Sequence, residues 1–297
     1  MVTYGERDID RLLLRQGGVM AEASLLDRLC PGDHACFVVD EEPARIRDVA
    51  AWIRSGLRDH HRVVYHALDG DRAASGLADE GVDVAAATRQ GRLRIVTPDP
   101  ADLETIVRRW RDESARARDD GYHGLRAIRD MSWAGGDPPG TDRLAWYEAQ
   151  LSRVFADGFA VGVCLYDRSL FGEEQLHQIT RSHPATIAGG TEAGGIPLLR
   201  VTRTAGSFGL RLVGEADLSN RRALRAILDH VDDDAAPGQD RRTLTVDVGG
   251  LRFADSAAVR MLLTVAGPHR LRLVGCSAAL RRLLAHHGPD PAVEYGG

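Results

Sequence analysis

The chain has 297 residues, 43% of them hydrophobic and 27% charged, with a formal net charge of −5. That length accommodates two domains with separate cores, and the mild acidity leaves no electrostatic footprint for direct nucleic-acid binding. No run approaches the roughly 18 apolar residues of a membrane span, and the opening stretch MVTYGERDIDRLLLRQ lacks a signal peptide's apolar centre, so a cytoplasmic protein is expected.

All 38 basic residues are arginine, because the sequence contains no lysine. A GxxxxGK[ST] phosphate loop, which needs an ammonium group, is therefore excluded. Schiff-base catalysis is excluded too, since a guanidinium stays protonated and is a poor nucleophile. Cys30, Cys36, Cys164 and Cys276 form no CxxC repeat, so buried structural thiols are expected.

In chain order, HACFVVD (34–40) reads as a buried strand. EEPARIRDVAAWIRSGLRD (41–59) follows as a helix with Ile46, Val49, Ile53 and Leu57 at helical spacing. RVVYHAL (62–68) is a second strand, then comes a short helix ended by Gly81, and LRIVTP (93–98) is a third strand. A long helix over 101–121 leads to a fourth strand, HGLRAIRDMSW (123–133), and the turn-rich AGGDPPG. The spacing predicts a helix over 143–156, a fifth strand AVGVCLYD (160–167), and a helix over 172–184 stopped by Pro184. Strands apolar on both faces that alternate with helices predict a parallel sheet covered on both sides.

AGGTEAGGIP (188–197) is rich in glycine and poor in bulky side chains, which marks a boundary. Beyond it, LRVTRT and GLRLVGEADLS form a hairpin through AGSFG, and Ser219 or Asn220 caps an amphipathic helix. A buried strand TLTVDVGGLRFAD, a helix SAAVRMLLTVAG, a strand HRLRLVGCS and a helix AALRRLLAHHG complete a second α/β unit. The expected division is 1–190 (core about 18–190), a linker at 191–197, and 198–297.

Where TLTVDVGGLRFAD ends, Asp255 and Ser256 open a helix with only Ala257 and Ala258 behind them. The pair is either a helix cap or a serine held out for modification. "LVGEADLSN", "LTVDVGGLRFADSAAV" and "LRLVGCSAALRRLL" resemble, in order and spacing, the STAS domains of bacterial anti-sigma factor antagonists. The resemblance implies that Ser256 is a phosphoacceptor for a serine kinase of the histidine-kinase-like ATPase type. It further implies that Asp255, Asp217, Glu215, Ser219, Ala257 and Ala258 surround the site where the anti-sigma factor docks. The family usually continues Asp-Ser-Ser/Thr-Gly-Leu, whereas Ala257, Ala258 and Val259 follow here.

"PGDHACFVVDEEPARI", "HRVVYHALDG", "GYHGLRAIRDMSWA" and "CLYDRSLF" together resemble MEDS domains, the sensory domains of methanogen and methylotroph regulators. That resemblance implies a degenerate RecA/KaiC-like fold and a small organic ligand. Ligands of open parallel sheets gather at the carboxyl ends of the strands, where this sequence offers Asp40, His66, Asp69, Asp130, Trp133, Tyr166 and Arg168. Asp40, Glu41 and Glu42 stand where a phosphate loop would follow the first strand, and they repel phosphate. His34 and Cys36 fall on one strand face beside Asp33, either as a structural pair or as weak metal candidates. His183, before Pro184, and the pair His286 and His287 read as surface or helix-end residues. The expectation is a non-enzymatic regulator without a cofactor: a sensory unit fused to a phosphorylatable anti-sigma factor antagonist, with a homodimer left open. The alternative is an interaction and assembly module whose sensory pocket is vestigial.

Overall fold

The computed structural model describes residues 25–39, 42–97, 102–135, 143–188, 199–204, 208–232, 243–265, 270–287 and 293–296. In the first unit, β1 (His34–Val39), β2 (His61–His66), β3 (Leu93–Val96), β4 (Gly124–Asp130), β5 (Ala160–Asp167) and β6 (Ala185–Ala188) form a six-stranded sheet in the order β3-β2-β4-β5-β1-β6. Every pairing in it is parallel. Its helices are α1 (Glu42–Arg58), α2 (Gly70–Asp79), α3 (Val84–Arg89), α4 (Leu103–Asp119), α5 (Leu144–Phe155) and α6 (Glu173–Thr180).

Successive side chains of a strand point to opposite faces, and here the two faces have separate cores. Ala35, Phe37 and Val39 of β1 join Val161, Val163 and Leu165 of β5 in a core with Trp52 and Ile53 of α1. Cys36 and Val38 join Cys164 and Tyr166 in the opposite core, with Trp110 of α4 and Tyr147 and Leu151 of α5. Asp69, Asp83 and Asp102 start α2, α3 and α4 by accepting a backbone N–H with their carboxylates. Gly81 and Gly121 follow α2 and α4 in the left-handed conformation that glycine adopts freely.

Of these elements, α3 and β6 are not apparent in the sequence pattern. Each is short, six and four residues, too brief for periodicity to register. The helix expected over 172–184 ends at Thr180, because Ser182 and His183 close a turn onto α6 before β6 begins.

The second unit holds β7 (Leu199–Arg203), β8 (Gly209–Ala216), β9 (Thr243–Ala254), β10 (Arg270–Val274) and β11 (Val293–Gly296) in the order β11-β10-β9-β8-β7. Only the β7–β8 pairing is antiparallel. Helices α7 (Arg221–Asp229), α8 (Ser256–Val265) and α9 (Ala278–His286) pack on it around Leu212, Leu224, Val246, Val259 and Leu273. The stretches expected as AGGDPPG, as the linker at 191–197 and as AGSFG lie wholly or largely outside the described residues.

Several contacts join the units. Helix α5 packs against α7, the Arg203 N–H donates to Ala156 O at 2.8 Å, and the Arg203 guanidinium donates to Arg153 O. Arg200 of β7 grips the fully buried Asp33 with two hydrogen bonds of 2.7 Å. Gly32 precedes that aspartate at φ +98°, and a Cβ there would stand 2.6 Å from Thr202 Cγ2. Glycine is needed at this position for its conformation and for the close approach of the two units.

The forked Asp33–Arg200 pair is the contact whose loss would strand a charge. Arg200→Ala should lower the unfolding free energy by about 3 kcal/mol, because it leaves a buried carboxylate uncompensated. Adding Asp33→Asn should recover part of that loss in urea titrations. A double variant no more stable than Arg200→Ala alone would contradict this account.

Candidate functional site

At the β9–α8 junction the Asp255 carboxylate accepts the Ala258 N–H at 2.7 Å, and the Asp255 carbonyl accepts from Val259. Asp255 is therefore the cap residue, and Ser256 is the first residue of the helix. Ser256 is exposed, and its hydroxyl makes no hydrogen bond among the described residues. Arg221, at the start of α7, meets the Asp255 carboxylate at 2.7 Å. Partial burial pushes that carboxyl up, but the Ala258 N–H and Arg221 outweigh it and leave it below the ordinary aspartate value.

The neighbouring β8–α7 turn is closed by its own side chains. Asp217 accepts from the Ser219 N–H and hydroxyl at 2.8 and 2.6 Å. Buried Asn220 accepts the Asp217 N–H and donates to Glu215 O, so it ties the turn together and does not cap α7 through its side chain. The Asp255 N–H donates to Ala216 O, which holds this turn beside the α8 start. Two large apolar side chains flank the corner in the open, Leu218 at 48% and Phe253 at 52% exposure. Glu215, paired in register with Phe253, lies 3.6 Å from Arg252.

At the carboxyl ends of the first sheet an open cleft of about 570 Å³ lies between β1, β2, β4 and α2. Its walls include Val39, Ile46 and Tyr65, with the acids Asp69, Asp79, Glu80, Asp130 and Asp167 and the cations Arg45 and Arg72. Asp130 accepts the Ser132 N–H at 2.9 Å and faces Arg45 at 3.4 Å. Carboxylates outnumber guanidinium groups here, which suits a neutral or cationic small molecule better than a phosphate ester.

On the opposite face, His34, Glu148, Cys164 and His183 bring their ligand atoms within 4.8 Å of one another, all of them buried. Among the described residues this is the one group arranged to hold a metal ion. Burial, with His183 beside it, pushes His34 down to about 3. Burial alone would push the Glu148 carboxyl up, but His183, His34 and the Tyr166 hydroxyl hold it at about 2. Burial and then the Glu148 charge push the Cys164 thiol up.

A family model described as MEDS, the methanogen/methylotroph DcmR sensory domain, matches residues 33–184, just over half of the chain. The chain belongs to the MEDS family. A second model, described as the Mlab, STAS domain, matches residues 199–291 behind the MEDS domain. Among solved structures, the flagellar accessory protein FlaH from Methanocaldococcus jannaschii is 11% identical at TM-score 0.45, over 75% of this chain and 88% of its own. A KaiC-like protein from Pyrococcus horikoshii OT3 is 11% identical at TM-score 0.42, over 62% of this chain and 79% of its own. No curated protein matches the chain.

The MEDS cleft corrects much of the pocket expected from the sequence. Asp69 and Asp130 line it, and Asp40 lies outside the described residues. His66 and Tyr166 belong to the other face, because strand alternation gives the cleft Tyr65 and Asp167 in their place. His66 stacks on Trp110 at 4.4 Å, Tyr166 is fully buried with its hydroxyl on Glu148, and Trp133 packs beside them near Arg129. Arg168 is exposed and borders a separate shallow hollow with Phe171 and Glu174.

The metal candidates His34 and Cys36 also divide. His34 joins the group, but the thiol beside it is Cys164, whose Cα lies opposite Cys36 in the β1–β5 register. Asp33 turns to Arg200 and does not orient the imidazole. His183 is wholly buried and not a surface residue. Glu148 escaped the sequence reading, although it stands on the face of α5 that carries Leu144 and Leu151. A carboxylate at an apolar helical position was the available signal.

His34 and His66, each held near 3 in the folded chain, titrate near the ordinary 6.5 once unfolded. Between those values the unfolded chain binds protons that the folded one refuses, so stability falls as pH drops through the window. Glu148, at about 2 against an ordinary 4.5, adds to the loss at the acid end. The two histidines together contribute a slope of up to about 3 kcal/mol per pH unit. The urea midpoint should fall steeply between about pH 7 and about pH 5, and a flat profile would contradict the neutral, buried state of both rings.

Proposed function

We propose that this protein is a signalling regulator in which the STAS domain acts as an anti-sigma factor antagonist and Ser256 is its phosphorylation switch. The partner would be an anti-sigma factor of the histidine-kinase-like ATPase type, which phosphorylates the serine. The carrying observation is an exposed Ser256 hydroxyl, unbonded among the described residues, at the start of α8 on the same corner as exposed Leu218 and Phe253. Two exposed large apolar side chains at one corner support a docking surface.

A phosphate on Ser256 would bring a charge of about −1.5 to −2 to that surface. The α8 amino end and the Arg221 guanidinium favour it, while the Asp255 carboxylate, already holding the Ala258 N–H, opposes it. The modification would therefore draw Arg221 from Asp255 toward the phosphate and change the face offered to a partner without unfolding the domain. The MEDS domain would supply the input through its acidic cleft, passed on through α5, α7 and the Asp33–Arg200 clamp. No catalytic role is assigned to either domain.

A second reading, an assembly module whose sensory domain is vestigial, draws on the close packing of Trp133 and Tyr166. Ligand-dependent stabilisation through the cleft separates the two. Thermal-shift screening of small amines and alcohols should find a stabilising compound whose effect Asp130→Asn reduces, whereas the second reading predicts none.

Partner binding tests the docking face directly. Ser256→Glu and the pair Leu218→Ser with Phe253→Ser should each weaken capture of the cognate anti-sigma factor by at least about tenfold in calorimetry, roughly 1.4 kcal/mol. Ser256→Ala should bind like the parent chain. Equal affinity across all of these variants would remove the corner from the interface.

A further inference from the structure

The buried group beneath α5 has a donor set that the signalling reading does not use. His183 donates its Nδ1–H to Ile179 O at 2.9 Å, which leaves Nε2 as the ring nitrogen that faces the group. Ser152 donates its hydroxyl proton to Glu148 O at 3.1 Å and can only accept from His34 Nδ1, which leaves His34 Nε2 to face the same group. Both nitrogens converge with a Glu148 oxygen and the Cys164 sulfur: His183 to Glu148 at 3.1 Å, His34 to Glu148 at 3.4 Å, His34 to Cys164 at 3.4 Å, and Cys164 to Glu148 at 3.3 Å.

Among the described residues His183 Nε2 makes no well-aligned hydrogen bond despite its 3.1 Å approach to the carboxylate, so it is aimed beside the oxygen and not along the line to it. A proton shared by two partners requires a straight line, while ligands of one ion aim at a point between them. A tetrahedral zinc ion with bonds of about 2.0–2.3 Å sets its ligand atoms about 3.3–3.7 Å apart, close to these four spacings, and all four atoms lie within 4.8 Å of one another. The hydrogen bonds that the far ring nitrogens donate to Ser152 Oγ and Ile179 O supply the outer support that metal-bound imidazoles have.

We propose that His34, Glu148, Cys164 and His183 form a closed, four-coordinate site for a divalent transition ion of the zinc class. Two imidazole nitrogens, one carboxylate oxygen and one thiolate match zinc's preferences, and no position remains for water or substrate, which makes the site structural. Binding releases the Cys164 proton to solvent as the thiolate forms. The ligands come from β1, α5, β5 and the turn after α6, so the ion would pin α5 to the sheet at the helix that contacts the STAS domain. Complete burial means that the ion enters during folding.

The test is metal analysis of the untagged full-length chain after prolonged dialysis against a chelator, joined to refolding with cobalt(II). About one zinc per chain should remain, and the cobalt form should show a thiolate-to-cobalt charge-transfer band. That band should vanish in Cys164→Ser and persist in Cys36→Ser. A wild-type chain that folds without metal and gives no cobalt band would overturn the proposal, as would a band abolished by Cys36→Ser and retained in Cys164→Ser. The wild-type measurements decide the matter even if a variant fails to fold.

Discussion

Neighbouring residues of a parallel strand covered on both faces enter different chemical surroundings, and this two-residue alternation organises the first unit. In β1 it sends Val39 to the cleft, and His34 and Cys36 to the opposite face. In β5 it sends Asp167 to the cleft, and Cys164 and Tyr166 to the polar group under α5. A shift of one residue would exchange the two sets and bury Asp167 among aromatic rings. The sheet thus keeps an open acidic mouth and a sealed histidine–glutamate–cysteine group apart, although their residues adjoin in sequence.

Helix α5 connects that sheet to the second unit. It carries Glu148 into the sealed group and Ser152 to His34, and near its end the Arg153 carbonyl receives Arg203 of β7. The Asp33–Arg200 clamp fastens the same region one residue before His34. Any change that moves α5 against the sheet therefore acts at once on the contact with α7, whose first residue, Arg221, holds Asp255 beside Ser256. This is a chain of packed elements between the two ends of the molecule, of the kind that carries coupling when one member has two arrangements.

Much of this was legible in the sequence because it rests on periodicity. Apolar strands alternating with helices gave the parallel sheet, and the junction at Asp255 and Ser256 gave the helix start in the second unit. What escaped was side-chain parity at strand ends: His66, Trp133 and Tyr166 sit in or beside strand-terminal segments expected to face a ligand, and a single residue of register decides the matter. The polar group under α5 was half visible. His34 and a thiol were suspected on one face, but Glu148 and His183 come from segments more than a hundred residues downstream, and only the fold brings them together. Arg221 escaped for the same reason, being 34 residues from the Asp255 it pairs with.

The proposed switch depends most heavily on the accessible hydroxyl of Ser256. The direct measurement is phosphate mapping by mass spectrometry after the full chain is incubated with ATP and the proposed histidine-kinase-like partner. The account predicts one labelled peptide carrying Ser256, absent from Ser256→Ala. Phosphate found on another residue, or none despite stable complex formation, would contradict it.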